Sequence, residues 1–334
     1  MQEDATLAAQ AAASIPEAGS HGRQRLRRAV ELKFWFGPLK LRSVAFNMAV
    51  EQWRRDPLNP AGCGVPDLAD LPSEVDGVYR PSQPIEAGAP NWRLSRATLC
   101  YIESRFHRRY IDLTTGLDTY MSGFSGKTRS TFRRKIRKFQ EVSSGELDWR
   151  AYRSAPEMRD FYAEARRVSR RTYQEKLFDA GLPEDGAFVD GMLARAEAGL
   201  VRGFILFLAG APVSYLYLPI VDDRVIYGHL GFDPAYAALS PGTVLQLLAL
   251  ESLFAEGRFR IFDFTEGEGE HKRLFATHER LCGNVYYLRP TIRNRAIIRL
   301  HLGTRKLSDF ADRQLAQRNL KTHLKHYLRG QRRA

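Results

Sequence analysis

The uncharged run from Gly203 to Val221 leaves two choices, a membrane-crossing helix or a pair of fully buried strands. Gly210, Pro212 and Pro219 interrupt it, and Phe204-Ile205-Leu206-Phe207-Leu208 is rich in β-forming side chains. We therefore expect two buried strands joined by a turn at Ala209-Gly210-Ala211-Pro212. A further β-run, Arg224–Phe232, follows the short turn at Asp222-Asp223, and together with Arg202–Leu208 and Val213–Val221 it makes an antiparallel meander.

The elements around the meander can be read by period and capping. Ser240-Pro241-Gly242-Thr243 opens a helix to about Glu256, with Ser as N-cap, Pro at N1 and Gly257 as the stop. Arg260–Phe264 reads as a short strand, Glu270–Ala276 as a short helix and Asn284–Leu288 as a last strand. Upstream, Ala155–Arg171 and Phe188–Ala198 read as helices. Before them, residues 125–141 form a basic helix capped by Ser125, with Phe132, Ile136 and Phe139 as its apolar stripe. Thr98–Ser104 and Arg109–Leu113 have β content, and a helical stretch begins at Thr114. Residues 56–97, rich in Pro and Gly, read as irregular, and residues 23–55 as a helix entering a strand near Leu39–Phe46.

Charge divides this chain more sharply than composition does. The 334 residues carry a formal net charge of +13. Residues 289–334 alone net +11, and Lys127–Lys138 holds seven basic residues and no acid, so the remainder is net −5. Two basic segments on a mildly acidic body should meet an anionic partner, not the whole surface. The three cysteines, Cys63, Cys100 and Cys282, are far apart, with neither metal-ligand spacing nor a disulfide framework; this points to a reducing compartment. Residues 1–22 lack the apolar core of a signal peptide and read as a disordered tail.

One segment carries a motif. In Leu230-Gly231-Phe232-Asp233-Pro234-Ala235-Tyr236-Ala237-Ala238-Leu239-Ser240-Pro241-Gly242-Thr243 a strand runs through a Pro-aromatic loop into a helix start. A helix N-terminus offers free N–H groups and partial positive charge to a phosphate. This stretch, and the element order around it, resemble the GNAT superfamily of acyl-CoA-dependent N-acyltransferases, whose loop reads Arg/Gln-x-x-Gly-x-Gly/Ala. Pro234, Tyr236 and Gly242 fit the pattern; Ala237 and Ser240 depart from it, standing where Arg or Gln and the first Gly are usual. The basic helix, the Leu239-Ser240-Pro241-Gly242 start and Phe262-Asp263-Phe264-Thr265-Glu266-Gly267 followed by His271-Lys272-Arg273 are similar to the CelD-like acetyltransferase branch, related to the FemAB aminoacyl transferases. His271 stands where that branch usually has Tyr.

The resemblance implies an α/β (α+β) GNAT fold, a mixed central sheet flanked by helices. It makes 125–290 the catalytic domain, 23–124 the candidate for the degenerate GNAT-like half that often precedes it in this branch, and 291–334 a basic helical tail. It also implies acyl-CoA, or an acyl carrier protein, as donor co-substrate and no permanently bound cofactor. Leu230, Gly231, Phe232, Ser240, Gly242 and Thr243 are the donor-binding candidates. Backbone N–H groups of Gly228–Phe232 suit the thioester carbonyl, and the two glycines there suit a bulge. Amine acylation needs a base, and Asp263, Glu266, Glu268, Glu270 and His271 crowd after the last-but-one strand, with Glu266 and His271 preferred and His229 as second candidate. Arg129 and Arg133 on the basic helix are candidate phosphate ligands. Lys272 is expected to bind a phosphate or to pair with Asp263, and Tyr173 to line the acceptor pocket. No metal ligands are expected.

The acceptor implied is an amine of an envelope sugar or of an amino lipid such as a sphingoid base. The alternatives are transfer from a charged tRNA, or a non-catalytic scaffold in polysaccharide synthesis. The polybasic, Leu-rich tail favours an anionic membrane surface over nucleic acid, and hence a cytoplasmic enzyme peripheral to the membrane.

Overall fold

The structure is a computed structural model describing residues 25–37, 39–51, 64–172, 181–267 and 269–317, with side chains to residue 311. The expected tail 1–22, Cys63, Tyr173 and Glu268 lie outside the described residues. In chain order the elements are strands β1 (Arg25–Phe36), β2 (Leu39–Glu51), β3 (Gly77–Pro84), β4 (Trp92–Leu94) and β5 (Leu99–Asp112), helices α1 (Leu117–Ser122) and α2 (Gly126–Val142), β6 (Trp149–Tyr152), α3 (Ala155–Ser169) and α4 (Gly186–Glu197). There follow β7 (Val201–Leu208), β8 (Ala211–Val221), β9 (Arg224–Ile226), β10 (His229–Phe232), α5 (Pro241–Glu256), β11 (Ile261–Asp263), α6 (Glu270–Phe275), β12 (His278–Leu288) and α7 (Ile292–Gln317).

The chain divides into two compact units, one holding 106–280 and the other drawn from 21–105 and 281–334. Strand pairing accounts for this division: Cys282–Leu288 of β12 pair with β3, so the N-terminal strands are completed by one from far along the chain.

In that second unit the order is β1-β2-β3-β12-β5, with β4 beside β5. A helix was expected within 23–55, but the chain makes the β1–β2 hairpin. Val30, Leu32 and Phe34 are buried while Ala29, Glu31 and Trp35 are exposed, a period of two that the interleaved basic residues disguise. Helix α7 lies against β1. Its Ile298 joins the apolar core, and His301 donates from Nε2 to the Lys33 carbonyl (3.0 Å) while its Nδ1 hydrogen-bonds Tyr101 Oη (2.6 Å).

In the first unit the order is β5-β11-β9-β8-β7-β6, with β10 also on β8. The run that opened the sequence argument is the β7–β8 hairpin, and Ala209 and Gly210 both take positive φ at its two-residue turn. Both strands are buried nearly end to end because both faces are covered. Leu216, Leu218 and Ile220 face the core made with α2 and α5, whereas Tyr215 and Tyr217 face the core made with α3 and α4. Among the described residues no helix is long and apolar enough to cross a membrane.

The packing of α3 on β7 is close enough to test. A Cβ at Gly203 would stand 2.6 Å from the Phe161 ring. Gly203→Ala should therefore cost about 1–3 kcal/mol in urea unfolding. Trimming the ring with Phe161→Leu should cost less in that background than in the parent chain. Additive losses would show that the two side chains do not compete for the space.

Candidate functional site

The expected third strand of the meander is not continuous. Arg224–Ile226 pair in parallel with β11, and the Tyr227 N–H still donates to the Asp263 carbonyl (2.8 Å). One residue later the chain has changed partner: the Gly228 N–H donates to Tyr217 O (3.2 Å), and His229–Phe232 pair with β8 alone. β10 thus swings away from β11 at Tyr227-Gly228. Its second edge has no partner strand among the described residues, so alternate N–H groups along it are open to the gap. Both glycines serve close packing here. A Cβ at Gly228 would lie 2.9 Å from the Tyr217 carbonyl oxygen and one at Gly231 2.4 Å from the Tyr215 ring.

From β10 the chain enters the helix α5 by a cramped route. Asp233 accepts from Ala235 N–H (3.0 Å), starting a 3₁₀ turn over Pro234–Leu239. Ser240 follows with φ 54° and ψ 46°, the left-handed region. The expected Ser cap is absent: the Ser240 hydroxyl makes no capping hydrogen bond. What the position requires is positive φ, which a glycine supplies without steric cost. Thr243 and Val244 N–H both return to the Ser240 carbonyl, and Pro241 has no N–H, so Gly242 offers the open amide at the helix start. Gly242 itself is buried; a Cβ there would meet Leu230 at 3.2 Å and Phe232 at 3.4 Å.

Helix α2 supplies charge to this corner, through other residues than expected. Lys135 Nζ donates to Thr243 Oγ1 (3.2 Å) and Lys138 Nζ to the Ala238 carbonyl (3.0 Å). Burial, and then Arg134, lower the Lys135 pKa. The expected phosphate ligand Arg129 instead donates to the carbonyls of Ser122 and Phe124 (3.2 and 2.9 Å), tying α2 to the turn before it; Arg133 is exposed. Lys135 could have been found from the sequence: it lies three residues after Phe132 and four before Phe139, both buried, and so shares their face. At the far side of the loop, Arg171 donates to Asp233 (3.0 Å), holding the chain that leads out of α3 against the donor turn.

The base candidates separate cleanly. The Asp263 side chain is fully buried and receives Arg108 Nε at both oxygens (3.0 Å each), the Arg108 Nη2 and the Thr265 N–H (2.9 Å). Burial alone would raise its pKa, but Arg108 and then Arg224 outweigh it and hold the carboxyl below the ordinary range. Asp263 is the anion of an internal ion pair. Lys272 was expected to bind a phosphate or Asp263, but its Nζ donates to the carbonyls of Phe264 (2.7 Å) and Glu266, bracing the loop between β11 and α6.

His271 stands at the start of α6 with its ring 5.6 Å from that of Tyr227 and 6.5 Å from that of Phe264, at the mouth of the gap between β10 and β11. Loss of hydration on that side, and then Lys272, lower its pKa below the ordinary 6.5. Glu266 is partly exposed on the same loop. His229 begins β10, edge-on to Phe188 at 5.9 Å, and burial pushes its pKa down to about 4. Both imidazoles are neutral at physiological pH and able to accept a proton. No cluster of metal-ligating side chains occurs among the described residues.

Comparisons with known proteins give one family match and several distant structural likenesses. Residues 126–273 match the family model of the acetyltransferase (GNAT) domain. A search of curated proteins finds no match. Among solved structures, the chain is similar to the C-terminal domain of a putative lysylphosphatidylglycerol synthetase from Agrobacterium fabrum (11% identity, 69% of this chain and 72% of that one, TM-score 0.46). It is also similar to L-PGS from Bacillus licheniformis (14%, 71% and 73%, 0.41) and to the PaiA N-acetyltransferase from Thermoplasma acidophilum in complex with coenzyme A (13%, 33% and 75%, 0.24). None of these likenesses bears on what the chain acts on. The segment that matches the GNAT acetyltransferase model contains the split strand, the left-handed turn at Ser240 and the α5 start, and this match supports an acyltransferase.

Proposed function

We propose that the chain transfers an acyl group from acyl-CoA to a primary amine, and that the acceptor is an envelope amino sugar or an amino lipid such as a sphingoid base. One observation carries the donor half of this reading: Gly242 N–H, Lys135 and Lys138 converge on the turn that opens α5, a charge and hydrogen-bond pattern suited to a pyrophosphate. An acyl carrier protein would present the same phosphopantetheine arm but no adenosine diphosphate, so the lysines favour CoA. Within the superfamily we favour the CelD-like branch, on the basic helix and on the Phe262–Gly267 run. Aminoacyl transfer from charged tRNA is the alternative, and a scaffold without turnover the third possibility.

In this reading the thioester carbonyl lies along the open edge of β10, where unpaired N–H groups stabilise the oxyanion. The neutral amine attacks the carbonyl carbon, a C–N bond forms, the C–S bond breaks, and the thiolate leaves to be protonated. His271, neutral at the mouth of the gap, takes the amine proton, and Glu266 on the same loop orients it or relays the proton. A lowered imidazole pKa keeps the base form available below pH 6.5. The basic tail would hold the enzyme at an anionic membrane, beside an amphiphilic acceptor.

The donor reading is checked by calorimetry with CoA thioesters. Lys135→Ala with Lys138→Ala should weaken binding about tenfold or more, the loss of two charge-assisted contacts. Ser240→Gly should keep affinity within a few fold, while Ser240→Val, disfavoured at positive φ, should lose most of it. Equal affinity in the lysine double variant and the parent would move the pyrophosphate elsewhere. A parent chain that binds no CoA thioester but retards tRNA would move the assignment to aminoacyl transfer.

The base is checked by steady-state kinetics. His271→Ala should lower kcat about 10²–10⁴-fold with little change in donor affinity. In the parent, the fall of kcat/KM on acidification should set in below pH 6.5, because the folded-state pKa is depressed. If His271→Ala loses less than about threefold while His229→Gln loses the larger factor, the proton goes to β10 instead.

A further inference from the structure

The second unit ends in an apolar tip that no reading of the catalytic site uses. At the end of the β1–β2 hairpin, Trp35, Leu39 and Leu41 are 45%, 52% and 57% exposed. The Gly37 N–H donates to Ser308 Oγ (2.8 Å), which fixes the hairpin tip to α7. Beside that anchor the helix exposes Leu307 and Phe310, at 59% and 56%, and two turns earlier Leu300 at 62%. Ala296, Leu300, Gly303, Leu307 and Phe310 recur at intervals of four and three, all exposed, so they form one stripe on the helix. The opposite face packs Ile297, Ile298 and Leu302 into the core of this unit, with Asn294 and His301 buried beside them. α7 is therefore apolar on both sides, which an ordinary surface helix is not.

Basic residues border this surface. Lys40 and Arg42 are exposed on the hairpin, and Arg299 and Lys306, seven residues apart, edge the helical stripe. Lys33 sits close enough to Lys40 that burial and then the Lys40 ammonium lower its pKa: like charges are gathered here. The acids nearby are Glu31, 3.9 Å from Lys40, Glu103, whose charge acts on Lys33 in the opposite sense to Lys40, and Asp309.

We propose that the β1–β2 hairpin tip and the outer stripe of α7 form one interfacial docking surface for an anionic lipid bilayer. Three physical arguments select a bilayer over a protein groove. The apolar groups stand on a hairpin tip, a projection that a fluid interface accepts without a matching cavity. A tryptophan with basic neighbours is the combination that gains at the headgroup boundary, ring in the acyl region and charge at the phosphates. The surrounding charge is mostly of one sign, complementary to an anionic leaflet and self-repelling against a second copy of this chain. The proposal extends the membrane contact suggested for the basic tail, and rests on it only for the sign of the lipid charge. It assigns the insertion to folded residues that precede the tail.

The test uses the full chain with vesicles of phosphatidylcholine and phosphatidylglycerol, against phosphatidylcholine alone. The variants are Trp35→Ser with Leu39→Ser and Leu41→Ser, and separately Lys40→Glu with Lys306→Glu. All five side chains are exposed, and folding is checked by unchanged CoA-thioester binding. The parent should sediment with the anionic vesicles. The serine variant should lose about tenfold or more in partitioning, because apolar area no longer enters the interface. The charge variant should lose binding to the anionic vesicles only. In the parent, Trp35 fluorescence, isolated by difference from Trp35→Phe, should be quenched by brominated lipid. A serine variant that binds as the parent does would overturn the proposal and leave contact to the tail alone. A parent that ignores both vesicles would overturn the proposal and the tail reading together. A parent dimer that the serine variant converts to monomer would also overturn it, showing the tip to be an interface between copies.

Discussion

The partner change at Tyr227-Gly228 is the constraint on which the first unit depends. A strand hydrogen-bonded on both edges has no open N–H groups, and one free along its whole length would not be held. Here Arg224–Ile226 are fixed between β8 and β11, while His229–Phe232 keep only β8. The result is a short strand edge that is both rigid and unsatisfied. Rigidity comes from the close fit of Gly231 over the Tyr215 ring and of Gly228 over the Tyr217 carbonyl, contacts that any side chain would push apart. The start of α5 is built on the same strand, since Leu230 and Phe232 are the side chains on which Gly242 rests. The open edge of β10 and the start of α5 are thus set by one four-residue segment.

Where β10 parts from β11, the last paired residue of β11 carries a buried ion pair. The Asp263 carboxylate and the Arg108 guanidinium meet at the last residue where β11 is still paired, with Arg224 adding charge of the same sign as Arg108. Such a pair is weak evidence of net stability, because burying two charges costs about as much as their attraction returns. Removing one partner is another matter, since the survivor would be left buried and unpaired. The consequence for chemistry is a division of labour. Asp263 stays ionised and occupied by Arg108, whereas His271 and His229 have pKa values lowered by burial. Lys272, expected to bind a phosphate or pair with Asp263, braces the loop that leads to His271 by donating to the Phe264 and Glu266 carbonyls.

Much of the first unit was written in local sequence. Uninterrupted apolar runs broken by Gly and Pro gave β7 and β8, the Ser-Pro-Gly start and Gly257 bounded α5, and the stripe Phe132-Ile136-Phe139 placed α2. These features survive translation because each depends on residues within a turn or two of one another. The β1–β2 hairpin did not survive it: basic residues at outward positions made a period of two look like a charged helix, and only the sheet they join shows which side is in.

The sequence by itself determined that a capped helix follows a buried meander, and that titratable residues crowd after the next strand. What only tertiary structure decided is which partners claim those residues. Asp263, Glu266 and His271 all stand as base candidates on paper, with Glu266 and His271 preferred; Arg108, more than 150 positions away in the chain, is what claims Asp263. Arg129 and Lys135 are equally basic on one helix; the carbonyls of Ser122 and Phe124 claim the first, and the donor turn, about a hundred residues downstream, meets the second. Likewise the positive φ at Ser240 is imposed by the strand and helix it must join, not by its own preference. A side chain's chemical type is local, but its availability is set by long-range contacts, and a linear pattern carries no record of those.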